Sequence, residues 1–161
     1  MRNDPKYVII HHTAYSAKSP QFALVNEWHR QRQFPISSLG FYVGYHYLIE
    51  RDGTVRQARR HWDEGAHTKG KNLESLAIGL AGNFDFETPT KEQIASLEKL
   101  AAEVAQTLQN PALKFFSHWD FADTHCPGDF FRRKDWRFAE IKIKLRIIEK
   151  ILLWILSKIN K

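Results

Sequence analysis

Short apolar runs, set apart by helical periodicity and one Asp-Gly turn, restrict this 161-residue chain to a sheet interleaved with helices. Residues 6–12, Lys-Tyr-Val-Ile-Ile-His-His, are rich in β-branched side chains and read as a buried strand. Residues 41–49 predict a second strand. Arg51-Asp52-Gly53-Thr54 carries the turn, and 54–58 is the return strand of a hairpin. Residues 75–82 form a short apolar strand and 113–117 a last one. Helices are expected over 20–33, with Pro20 near the start, and from Thr90 onward. There Thr90-Lys91-Glu92-Gln93 matches a capping box and Ile94, Leu97, Leu100, Ala101, Val104 and Leu108 share one face. Asn110-Pro111 ends that helix, and a long final helix is expected from about 135 to 159. Residues 34–40 read as loop and 59–74 as a long surface loop. The expected architecture is α/β: a mixed central sheet flanked by helices in a single domain, with a C-terminal amphipathic helix.

The length suits one domain. With 43% hydrophobic and 26% charged residues, the chain can bury a core of useful size. One cysteine, Cys126, excludes an intramolecular disulfide. No apolar signal-like segment follows Met1, and no run reaches the roughly 20 apolar residues of a membrane span. The formal charge of +6 favours polyanionic partners in general, wall polymers among them. Lysines and arginines near 56–60 and 132–137 read as solvated faces. Charge alone would also suit nucleic acid, but that explains none of the His and Cys placement, and no nucleic-acid partner is expected. A glycosidase would need a suitably spaced carboxylate pair, and none stands out.

Three segments carry chemistry: Ile9-Ile10-His11-His12-Thr13, Gly44-Tyr45-His46-Tyr47, and Ser117-His118-Trp119-Asp120 with Thr124-His125-Cys126-Pro127-Gly128-Asp129. Zinc prefers imidazole nitrogen and thiolate sulfur, and a catalytic zinc keeps three protein ligands and one open position. His11 or His12, together with His118 and Cys126, would supply such a set. Successive strand residues point to opposite faces, so His11 and His12 do not share one ion, and the same separates His125 from Cys126. Spacing leaves open which member of each pair faces the metal.

In these stretches, and in Asp52-Gly53-Thr54-Val55, Gly65-Ala66-His67 and Ala77-Ile78-Gly79-Leu80, the chain resembles a known family. This is the zinc-dependent N-acetylmuramoyl-L-alanine amidases, which include phage endolysins and animal peptidoglycan recognition proteins. The likeness runs from about residue 5 to 137. It implies a catalytic domain over 1–140, after which 141–161 reads from its own pattern as a basic amphipathic helical appendage. It implies Zn2+ held by His11, His118 and Cys126, with Tyr45 beside the metal as a catalytic donor. Thr124 stands where some phage enzymes carry Lys, and is the second donor. His67 matches a histidine near the cleft and is a candidate for moving protons. The implied reaction is hydrolysis of the amide between N-acetylmuramic acid and L-alanine of bacterial peptidoglycan, by a phage or prophage endolysin. Such an enzyme waits in the host cytoplasm until released to the wall. The alternative is a non-catalytic peptidoglycan-binding module on the same fold.

The C-terminal segment has an apolar stripe, Ile141, Leu145, Ile148, Leu152, Ile155 and Ile159, with Trp154 and positive charge at Lys142, Arg146, Lys150, Lys158 and Lys161. Such a helix suits an anionic membrane or lipopolysaccharide surface. It equally suits docking on the domain or on a second copy.

Overall fold

The computed structural model describes residues 2–110, 112–131 and Lys158. The elements are β1 (Tyr7–His12), α1 (Phe22–Gln31), β2 (Tyr47–Ile49), β3 (Val55–Gln57), β4 (Ser75–Leu80), α2 (Lys91–Thr107) and β5 (Lys114–Ser117), then a 3-10 turn over His118–Asp120. The helix expected over 135–159, and with it the 141–161 appendage, lies outside the described residues apart from Lys158.

The sheet order is β3-β2-β4-β1-β5. β1 is central and parallel to both β4 and β5, β2 is parallel to β4, and β3 returns antiparallel to β2. The sheet is therefore mixed, as the sequence pattern predicts. Gly53 makes the hairpin turn at φ +84, a conformation that a side chain disfavours.

Alternation along the strands sorts the two faces. Val8, Ile10, Leu76, Ile78 and Leu80 form the main core with Leu97, Leu100, Ala101 and Val104 of α2. Each fully buried Leu or Ile contributes roughly 1.5–3 kcal/mol, which explains why α2 holds this face. Its start is fixed by the anticipated capping box: Thr90 Oγ1 accepts the Gln93 N–H at 3.1 Å, and Gln93 Oε1 accepts the Thr90 N–H at 3.1 Å. The opposite face carries α1, whose Val25 packs with Val43, Leu48 and Ala58.

Helix α1 has no side-chain cap of its own and no acidic residue in its first turn. Glu50, at the end of β2 and 3% exposed, supplies the cap instead. Its two carboxylate oxygens accept the Gln21 and Phe22 N–H groups, each at 2.8 Å. Anions are stabilised at a helix N-terminus. Glu50→Gln turns an amide N–H toward one of these donors, and is expected to cost about 2–3 kcal/mol, read as a shift in the urea midpoint. An unchanged midpoint would contradict this role.

Two sequence expectations are corrected. The strand expected over 41–49 is limited to 47–49, because side chains of α1 take its earlier backbone donors. Asn26 Oδ1 accepts the Tyr42 N–H at 2.7 Å and His29 Nδ1 accepts the Gly44 N–H at 2.9 Å. A Cβ at Gly44 would collide with the Ala66 carbonyl. The stretch 59–74 is also more than a surface loop. Arg59 is 2% exposed and donates to the carbonyls of Val43, Glu64 and Pro35 at 2.6–2.9 Å. It is therefore an internal clamp on three loops, where the sequence suggested a solvated charge.

Candidate metal centre and cleft

The parallel register places the site. Ile10 pairs with Ser117 and His11 with Gly79, so His11 is flanked by the start of the 3-10 turn on one side and by a bare backbone position on the other. His11 lies on the α1 face, with its ring centroid 4.4 Å from that of His118. Its Nδ1 is 3.6 Å from Cys126 Sγ. The ligand-type atoms of His11, His118 and Cys126 all lie within 4.8 Å of one another. The loop carrying Cys126 is tied to the turn carrying His118, because the Trp119 N–H donates to the Cys126 carbonyl at 3.0 Å.

The second member of each pair faces elsewhere. His12 points to the α2 side, where its Nδ1 accepts the Phe84 N–H at 3.1 Å. His125 is 82% exposed and lies 3.7 Å from Asp129. His46 is a buried structural residue: its Nδ1 accepts the Ala77 N–H at 3.1 Å, and burial depresses its pKa to about 3.

The three converging groups share a cavity of about 450 Å3, which is also lined by Tyr45, His67 and Thr124. All six site residues singled out in the sequence thus border one cleft. An adjoining cavity of about 460 Å3 shares Thr13, Ala14, His29, Arg32 and Tyr45 with it and extends past Trp28. The Tyr45 ring rests on the backbone of Gly79, where a Cβ would stand 2.6 Å from the ring. Its centroid is 5.2 Å from that of His11, and its hydroxyl donates to the His12 carbonyl at a long 3.3 Å. Burial raises its pKa well above the usual phenol value, so the proton stays on the oxygen. Thr124 Oγ1 accepts the Cys126 N–H at 3.2 Å, which turns the loop and leaves the hydroxyl proton free to donate. His67 stands behind His11, with its Nδ1 3.2 Å from His11 Nε2.

Burial sets the protonation of these groups. Burial, reinforced by neighbouring His67, lowers the His11 pKa and keeps the ring in the neutral form that coordinates metals. Burial pushes the Cys126 thiol up to about 12. A thiol in such surroundings becomes a thiolate only with a cation beside it.

Sequence reasoning missed His29. It is 7% exposed, stacks on Phe34 and lines both cavities, and burial holds its pKa near about 4. Because Nδ1 accepts the Gly44 N–H, its Nε2 carries the proton as a donor. The one signal was its spacing of four from Val25, which puts both on the buried stripe of α1.

The chain is also similar to known proteins in sequence and in fold. The family model described as N-acetylmuramoyl-L-alanine amidase matches residues 1–129. The chain is 30% identical over 130 residues to peptidoglycan-recognition protein SC2 of Drosophila melanogaster, covering 80% of this chain and 71% of that protein. It is 31% identical over 117 residues to the endolysin of Escherichia phage T7, covering 70% and 71%. Among solved structures, the N-acetylmuramoyl-L-alanine amidase LysC from Clostridium intestinale URNW superposes with TM-score 0.70 at 30% identity, covering 90% and 86%. With most of its length inside that family model and a sheet that superposes on a solved amidase, this chain belongs to the N-acetylmuramoyl-L-alanine amidase family.

Proposed function

We propose that this protein hydrolyses the amide bond between N-acetylmuramic acid and L-alanine in bacterial peptidoglycan, as an endolysin, with a zinc ion held by His11, His118 and Cys126. The observation that carries the reading is the convergence of two imidazoles and one thiol within 4.8 Å at the floor of a cleft that also holds Tyr45. Two nitrogens and one sulfur are a donor set that suits zinc, and three protein ligands leave a position for reacting groups. When bound in such a site, zinc polarises a carbonyl and lowers the pKa of water to roughly 7.

The chain's own residues supply the rest. Tyr45 keeps its proton and offers a hydrogen bond to the oxygen that becomes negative as the amide carbon turns tetrahedral. Thr124 is the second donor, on the opposite loop. The joined cavities past His29, Arg32 and Trp28 give an extended substrate room to lie across the reacting centre. Endolysin relatives support action on the wall from the host cytoplasm.

Product analysis tests the reading. Digested wall should gain free alanine amino groups and no new reducing sugar ends. Recognition proteins among the relatives keep the alternative of a binding module in view. Wall binding without any new amino groups would favour that module.

For the basic, apolar-striped segment 141–161 we propose contact with anionic membrane or lipopolysaccharide, the alternative being docking on the domain or on a second copy. Among the described residues no helix is long and apolar enough to cross a membrane. Deleting 144–161 is expected to reduce lysis of intact cells while sparing digestion of isolated wall. Equal loss on both substrates would instead assign the segment to the fold.

A further inference from the structure

The geometry points to His67 as a positioning residue that holds His11 in the one tautomer able to bind metal through Nδ1. The inference rests on His11, His118 and Cys126 forming the metal centre proposed above. It assigns His67 a different task from the proton transfer that its place near the cleft suggested.

The reasoning begins with which nitrogen of His11 faces which neighbour. Nδ1 faces Cys126 Sγ at 3.6 Å, and Nε2 faces His67 Nδ1 at 3.2 Å. For Nδ1 to present a lone pair to a cation, the proton of the neutral ring must sit on Nε2. That proton needs an acceptor, because Nε2 is enclosed. His67 Nδ1 serves if His67 carries its own proton on Nε2. Beyond it lies Ser75 Oγ, 3.5 Å from His67 Nε2, whose hydroxyl donates to the Lys71 carbonyl at 2.6 Å. Ser75 Oγ therefore turns a lone pair toward His67, and the proton order runs one way: His11 to His67 to Ser75 to a backbone carbonyl.

The loop is built to hold this order. The backbone N–H groups of His67 and Thr68 both donate to Asn72 Oδ1 at 3.0 Å, fixing the turn that delivers the ring. The Thr68 hydroxyl borders the same contact, 3.0 Å from His67 Nδ1 and a longer 3.5 Å from His11 Nε2. The ring sits close against Gly65, where a Cβ would clash with its Cδ2 and Nε2. With both nitrogens engaged, His67 is poorly placed to pick up and release protons in the cleft. Partners on the outer nitrogen of a metal-binding histidine typically change metal affinity about 10- to 100-fold.

The test uses two substitutions and two readouts. Two-bond proton–nitrogen NMR on metal-free protein with labelled histidines reads the His11 tautomer. Competition with a chromophoric chelator reads zinc affinity. Wild-type His11 should carry its proton on Nε2. His67→Phe keeps a ring without an acceptor, and should give a mixed His11 tautomer with zinc binding weaker by about 10- to 100-fold. His67→Asn places Oδ1 near the lost Nδ1, and should restore the Nε2–H tautomer and most of the affinity. A wild-type His11 protonated on Nδ1 overturns the proposal even if neither variant folds. So does a Phe variant with wild-type tautomer and affinity, or an Asn variant that fails as badly as Phe. A wild-type protein that binds no zinc would instead overturn the metal reading itself, and the tautomer of the metal-free protein would still decide the role of His67.

Discussion

Cys126→Ser should leave a folded protein that no longer retains zinc and turns over wall at least on the order of 10^3-fold more slowly. Cys126 lies in a loop held by the Trp119 N–H on the Cys126 carbonyl and by Thr124 Oγ1 on the Cys126 N–H. Neither contact uses sulfur, so the loop should survive the change. A serine hydroxyl stays neutral at pH 7 and is a poor zinc ligand, so two imidazoles alone would remain. Losing a Lewis acid forfeits several kcal/mol of transition-state stabilisation, and about 4 kcal/mol corresponds to a thousandfold in rate. Binding of peptidoglycan fragments along the cleft should change little. Full turnover by the Ser variant would remove Cys126 from the mechanism. Equal loss of fragment binding would point to a collapsed loop.

Tyr45→Phe should lower kcat by about 10^2- to 10^3-fold with zinc content and KM little changed, the range seen when a single oxyanion donor is removed. The substitution deletes one oxygen and keeps the ring against Gly79, His11 and His29. The hydroxyl's hydrogen bond to the His12 carbonyl is long, at 3.3 Å, so the fold gives up little when it goes. A pure transition-state donor affects kcat and kcat/KM together. A raised KM at constant kcat would make Tyr45 a binding residue, and unchanged kinetics would remove it from the reaction.

The legible parts of the molecule are those set by local rules. Strand alternation separates His11 from His12, and β1 bears this out: one ring faces Cys126, the other holds the Phe84 N–H. The capping box at Thr90 and the apolar face from Ile94 to Leu108 needed only the helical period, and α2 packs as that face requires. The convergence of His118 and Cys126 on His11 followed from the family likeness, since spacing alone left the partners open. What escaped the sequence depends on contacts between distant segments. Glu50 caps a helix 28 residues earlier in the chain. Arg59 resembles any surface arginine until three carbonyls are seen around its guanidinium. Residues 41–46 have strand composition, yet Asn26 and His29 of α1 claim the backbone donors of Tyr42 and Gly44. Gly79 reads as one small residue in an apolar run, and only the fold shows that its missing side chain makes room for the Tyr45 ring beside His11.

X-ray absorption at the zinc edge, on the wild-type protein loaded with one equivalent of metal, is the most direct test. Coordination by His11, His118 and Cys126 predicts one sulfur at about 2.3 Å and two imidazole nitrogens at about 2.0–2.1 Å, with a further light atom completing four ligands. A first shell of nitrogen and oxygen with no sulfur, or no zinc retained after desalting, would contradict the account.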